Sequence, residues 1–408
     1  MRQLLSLTIL TLLSFSTFAQ KNKEKFAVTY NKNIETYWFA QLLATEVRPS
    51  RANKKYDGYP NFTKELKDKH SAFQPVAFEA INDYYDKLKT SKIAKLTAEL
   101  NDKLLDDDIG DDVMMTPLVT QKEFPTNDYK TNFEYKNDNL DKAKVASINL
   151  LIKNYIKELG EFYKSEHLDN LFNKYRKFYQ GAISEINKNV PSKSFEAIEQ
   201  FYGEQNLSYT AFVSPMFVWI IDNNQGRGIG GFVTTSKGRK PFEIMTPFVK
   251  IPANKNIDDY KAFGFDYKLQ AQALTIHEFS HSFVNKEVEK YNDRIKLTDS
   301  LFIKSKLSSP SIMPTQGVQN WNTFIMESLV RLGEIKVALM QNDAERANYL
   351  REDYIVKKKF VLIPLLEEKI KMYESNRKKY PKFSDFLPEL LKVFENITIQ
   401  QINNLVDK

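Results

Sequence analysis

His277, Glu278 and His281 stand in the order H-E-x-x-H. On an α-helix, residues four apart lie on one face, one turn above the other. The two imidazoles then point at one place, and Glu278, about 100° around the helix from His277, stands beside it. Two neutral nitrogen donors, an open coordination position and a carboxylate that can take a proton from water are what a hydrolytic zinc site requires. With four histidines in the chain, chance produces this motif in well under about 1% of such sequences. The competing reading is a histidine pair on an amphipathic helix with no metal. Leu274, His277, His281, Val284, Val288 and Tyr291 form one stripe at helical spacing, and Ile276, Phe279 and Phe283 form a second apolar row. A helix apolar on two sides belongs in a core. Buried neutral imidazoles need partners there, and a shared metal ion is the expected one.

A catalytic zinc needs a third protein ligand. The other histidines, His70 and His167, lie in the first half of the chain, so a carboxylate is expected. Glu287, Glu289, Asp293, Asp299, Glu327 and Glu334 are the downstream candidates. Glu287 and Glu289 ride the motif helix itself and fold back poorly onto the metal. Glu327 lies in a strongly apolar helix, with Phe324, Arg331 and Glu334 along the same edge by three- and four-residue steps. A buried glutamate needs a cation or strong donors, which makes Glu327 the expected third ligand. A plain Glu327–Arg331 pair is the other reading. Both hold if Arg331 orients the ligand. An oxyanion donor is expected near the metal. Tyr291, Trp321 and Arg331 are the nearby residue types, and the sequence does not choose among them.

The elements that must position these groups read as α+β, mostly helical, with a small antiparallel or mixed sheet before the motif helix. Phe26–Tyr30 reads as a short strand. Tyr209–Ile221, Gly230–Thr235 and Phe242–Met245 read as an antiparallel meander, rich in β-branched and aromatic residues and separated by turns. Asp266 is the expected N-cap of the motif helix, and Asn33 that of an early helix. Helices are expected over Thr63–Lys69, Pro75–Leu88, Ser91–Leu100, Asp138–Lys157, Leu168–Gln180, Lys193–Phe201 and Gln319–Met340. Arg48–Pro60 and Ser308–Gly317 read as loops, and the tail from Asn342 as two or three helices. Residues 20–205 then form a helical region, 206–340 a catalytic core and 341–408 a set of C-terminal helices.

Residues 1–19 read as a secretory signal peptide, with an apolar run from Leu4 to Phe18 and cleavage after Ala19. The expected product is exported, periplasmic or secreted, with no stable membrane insertion after cleavage. The chain has no cysteine, which excludes disulfides and fits a bacterial exported protein. The net charge of +7 comes from lysines spread along the chain, so no nucleic-acid partner is expected. The acidic run from Asp106 to Asp112 lacks the glutamate a calcium loop needs and reads as an exposed loop. Gly226, Gly228 and Gly231 match G-x-G-x-x-G between strands, not at the start of a helix, so no dinucleotide site is expected.

H-E-x-x-H followed by a helix-borne glutamate resembles the gluzincin group of zinc metallopeptidases. The resemblance implies a zincin-like core, Zn²⁺ held by His277, His281 and Glu327, and Glu278 as general base. It also implies a sheet edge that binds an extended peptide or protein substrate, here Gly228–Thr235. His277–Asn285 further resembles a family of exported bacterial proteins, described as a domain of unknown function and presumed to be metallopeptidases. That likeness extends to Asn33–Tyr37, Leu66–His70 and Glu327 with Arg331. Two other readings stand beside the peptidase: a zinc hydrolase acting on a non-peptide substrate, and a non-enzymatic helical binding protein.

Overall fold

Alternation along four short strands decides where the motif helix sits. The structure, a computed structural model, describes residues 25–44, 71–107, 109–130, 133–136, 140–218, 226–252, 254 and 256–408. The expected signal peptide, the Arg48–Pro60 loop, the Thr63–Lys69 helix and His70 lie outside the described residues. The strands are β1 (Phe26–Thr29), β2 (Tyr209–Val213), β3 (Gly228–Thr235) and β4 (Gly238–Met245), in the order β1-β2-β4-β3. β1 and β4 both run parallel to β2, while β3 and β4 form an antiparallel hairpin closed at Thr235–Gly238. The rest of the described secondary structure is helical, so the fold is α+β with a small mixed sheet. None of the described helices is long and apolar enough to cross a membrane.

Successive strand residues face opposite sides of a sheet. Tyr209, Ala211, Val213 and Met245 join one core, together with Ile276, Phe279 and Phe283 of the motif helix. Phe212, Phe242 and Ile244 join a second core, with Ile34, Trp38 and Leu42 of the first helix, Lys32–Ala44. The sheet is therefore covered on both faces. The expected antiparallel meander differs in two respects: β4, not β3, lies beside β2, and it pairs with β2 in parallel. The β3–β4 hairpin docks as a unit with its apolar arm inward. The glycine-rich β3, with few side chains to pack, takes the outer position. Among the described residues no strand pairs with its free edge.

The motif helix runs from Lys268 to Glu289. Aromatic packing presses it onto the sheet. The Phe279 ring lies 5.0 Å from Tyr209, 5.6 Å from Phe195 and 6.4 Å from Phe26. Phe283 stacks on Tyr202 at 4.6 Å with planes 2° apart. Each such buried ring contributes roughly 1.5–3 kcal/mol, so the helix has little freedom to roll. The helix that carries Glu327 spans Trp321–Met340, capped by Asn320, whose side chain accepts from the Thr323 N–H.

Two expected caps are corrected. Asp266 does not cap the motif helix. It pairs with Lys188 at 2.8 Å and accepts from Asn189, and Tyr267 takes the N-cap position without a side-chain bond. Asn33 lies inside the first helix, and Asn31 caps it by accepting from the Asn33 and Ile34 N–H groups. The buried Asn33 amide instead donates to the Leu118 and Gln121 carbonyls and accepts from the Phe124 N–H. Part of the expected Ser308–Gly317 loop is a short helix, Met313–Gln316.

Candidate metal centre

The motif helix and the Trp321–Met340 helix pack against each other and bring His277, His281 and Glu327 together, one atom from each lying within 4.8 Å of the others. The two Nε2 atoms are 3.2 Å apart, and each lies 3.5 Å from an oxygen of Glu327. A tetrahedral zinc with bonds of about 2.0–2.1 Å has ligand–ligand edges of about 3.3–3.4 Å. The Nε2–Nε2 separation is close to that edge, and the two 3.5 Å separations, one to each oxygen of Glu327, place its carboxylate across from both imidazoles. The histidines are not sealed in the core as their apolar surroundings suggested. Their side chains keep 16% and 19% of their surface accessible, as does Glu327 with 19%, which leaves the triad one approach from solvent.

The outer nitrogens settle what the inner ones present. His277 Nδ1 donates to the Glu334 carboxylate at 2.7 Å, and His281 Nδ1 donates to the Asn285 Oδ1 at 2.9 Å. With the ring protons on Nδ1, both Nε2 lone pairs face each other and the Glu327 carboxylate. Four acceptor atoms converge with no donor among them, an arrangement that a cation relieves. Three carboxylates, from Glu278, Glu327 and Glu334, stand here against one guanidinium, that of Arg331. The formal imbalance is that of a divalent ion. His277 reports the same field. Burial pulls its pKa down, but the Glu334 and Glu327 carboxylates outweigh that and hold it above its ordinary value.

Arg331 lies one turn beyond Glu327 and donates through Nη1 to the Glu327 carboxylate and carbonyl. Its guanidinium lies over the Phe360 ring at 4.1 Å and the Tyr354 ring at 5.1 Å, so it is fixed by packing as well as charge. Burial opposes ionisation of Glu327, and Arg331 with the two histidines overcomes it, holding the carboxyl well below its usual range. Glu334 is 1% exposed and is gripped from behind by the Tyr354 hydroxyl, which sits on a π-helical turn, Glu352–Lys357.

Glu278 faces the outer strand. A Cβ on Gly228 would come within 2.6 Å of its Oε1, and one on Gly230 within 2.6 Å of its Oε2. Only glycine at both positions lets the carboxylate lie flat against the strand. Glu278 itself is 9% exposed.

The remaining sequence candidates are placed elsewhere. The Trp321 ring is buried, stacks on Phe324 at 5.4 Å, and gives its N–H to the Thr298 hydroxyl. Tyr291 lies beyond the end of the motif helix, ten residues past His281, which is roughly 15 Å along a helical rise. Its ring meets Arg294. Of the three oxyanion candidates, the structure brings only Arg331 to the triad. His167 stands at the start of the Leu168–Lys174 helix. Among the described residues, the Asp106–Asp112 run forms no cation cluster, and Asp107 pairs with Lys144 at 2.5 Å. Glu334, a candidate ligand by sequence, meets the outer nitrogen of His277 instead, and Asn285 and Tyr354 join it around the triad. Helical spacing signals two of them: Asn285 is four residues past His281, and Glu334 is two turns past Glu327.

A family model described as a domain of unknown function (DUF4932) matches residues 54–393. No curated protein and no solved structure matches the chain.

Proposed function

The chain belongs to the DUF4932 family, and on the geometry of its triad we propose that it is an exported, zinc-dependent metallopeptidase. The observation that carries the reading is the convergence of two Nε2 atoms and a carboxylate at 3.2–3.5 Å, with Glu278 beside them. His277, His281 and Glu327 would hold the ion, their imidazoles fixed by Glu334 and Asn285 and their carboxylate by Arg331. Zinc when bound supplies Lewis acidity to the reaction. Glu278 accepts a proton from the attacking water and passes it to the leaving amine. Its place against the β3 backbone puts that transfer beside a strand whose outer edge is free among the described residues. An extended peptide adding to that edge would lie alongside the base. A free backbone edge suits a peptide better than a small non-peptide ester or amide, and the convergent acceptors argue against a binding protein with two core histidines. The mixed sheet, the outer antiparallel strand and the ligand from a later helix together support a zincin-like core. The signal-like first 19 residues support export.

The test is zinc content and peptide hydrolysis of the mature protein, with Glu278→Gln alongside. We expect one zinc per chain and hydrolysis that the substitution abolishes. Absence of stoichiometric zinc overturns the metal site. Zinc with undiminished hydrolysis in Glu278→Gln overturns the base.

A further inference from the structure

Beneath Glu278, on the sheet, lies a second carboxyl that the reaction above does not use. Glu243 belongs to β4 and sits directly across from Gly230. Its neighbours Phe242 and Ile244 face the second core, so alternation turns Glu243 the other way, toward the motif helix. Gly230, its cross-strand partner, has the Glu278 side chain and carbonyl against it. Glu243 is 0% exposed, and neither of its carboxyl oxygens has a hydrogen-bond partner. The Thr275 hydroxyl, one turn before Glu278 on the same helix face, is also buried without a partner.

Three orphaned polar atoms at one place demand an accounting, because each buried unsatisfied group costs about 1–3 kcal/mol. An ionised Glu243 cannot balance it, since it would place a second, fully buried negative charge beside Glu278 with no cation of its own to pair with. A neutral acid does balance it. It adds one donor to a cluster that otherwise holds only the Thr275 hydroxyl as donor. In that state the Thr275 O–H is available to the Glu243 carbonyl oxygen, and the Glu243 O–H to the Glu278 carboxylate. Burial pushes the Glu243 carboxyl well above its usual range; nearby Thr275 opposes this, and the Glu278 charge adds to it.

We propose that Glu243 is a positioning residue, a permanently protonated acid whose hydroxyl holds the Glu278 carboxylate against β3. It deepens the hydrolase reading and rests on it only for the effect on turnover. Gly228 and Gly230 leave Glu278 space on one side, and Glu243 with Thr275 anchors it from below. The base is thereby kept in one orientation, and a neutral donor lowers the basicity of its carboxylate less than a full positive charge at the same place would.

Infrared difference spectroscopy tests the proton without any need for activity. Wild type minus Glu243→Gln should show the C=O stretch of a protonated carboxylic acid at neutral pH. That band should shift in Glu278→Gln, where its hydrogen-bond acceptor changes. A carboxylate band in its place, or an acid band indifferent to Glu278→Gln, overturns the proposal. Turnover supplies the second arm. Glu243→Gln keeps a donor and should retain kcat within about twofold, whereas Glu243→Leu should lower kcat by about 10- to 100-fold with KM unchanged. Equal losses in both variants, with circular dichroism showing both folded, would also overturn it. If wild type hydrolyses no peptide, the hydrolase reading fails while the infrared result still decides the state of Glu243.

Discussion

Of the glutamates buried beside this sheet, two that are fully buried, one in each core, are held in opposite ways. Glu35, in the second core, receives three donors: the Ser214 and Tyr179 hydroxyls and the Met216 N–H. Glu243, facing the motif helix, receives none. Both are fully buried, so burial alone does not separate a structural acid from one with a task. The donors do. Glu35 ties the first helix to the residues that follow β2, through Ser214 and Met216, and to the Arg176–Asn189 helix, through Tyr179. Glu243 has a single charged neighbour of note, the proposed base. A fully satisfied buried carboxyl reads as architecture, and an unsatisfied one next to Glu278 reads as part of the site.

Substitutions should pull the two regions apart. The largest effect belongs to the site: Glu278→Gln should lower kcat by about 10²- to 10⁴-fold while leaving the thermal midpoint unchanged. A loss of folding in that variant would mean Glu278 is architecture too. In the other core, Glu35→Ala should cost about 3 kcal/mol of stability by orphaning its donors, read by urea unfolding, with zinc content of the folded fraction intact.

Glu35 also sets a pH signature. Burial raises its pKa from 4.5 to about 7 against the pull of its three hydrogen bonds. The folded chain therefore holds that proton more tightly than the unfolded chain. Its contribution is fully present below about pH 4.5 and is lost as pH rises through 7, about 3 kcal/mol across the window. Glu35→Gln should remove that slope from the stability–pH curve, and an unchanged slope would show that Glu35 titrates normally.

Smaller effects refine the site's border. Glu334→Gln should weaken zinc binding by about 10- to 100-fold in a chelator competition. An unchanged affinity would make the Glu334–His277 bond incidental. Least of all, Trp321→Phe should cost about 1 kcal/mol, the value of its bond to Thr298, with kcat/KM unaltered. A tenfold drop in kcat/KM would return the indole to the reaction.

The comparison also explains what was legible before the structure. His277 and His281 are four residues apart on one helix, so their convergence needs only helical geometry. Glu327 announced itself as a charge in an apolar helix with Arg331 one turn on. Asn285 was equally local and was passed over. Glu243 was not legible, because its place under Glu278 depends on β4 entering between β2 and β3. That pairing is non-local, and strand periodicity carries no record of which neighbour a strand will choose. Trp321 and Tyr291 lie away from the triad for the converse reason. Trp321 opens the helix that carries Glu327 and Tyr291 follows the end of the motif helix, and a helix carries its ends far from its middle.

The parallel pairing of β1 with β2 sets the order in which the molecule can become complete. Phe26 meets Tyr209, 183 positions downstream, and loop closures of that span are slow steps in folding. All three triad residues come later still, and Tyr354, which steadies Glu334, comes after them. A chain emerging amino end first therefore cannot assemble the triad until most of its backbone has been made. Under the proposed activity, a nascent chain carries no working hydrolytic site for that interval.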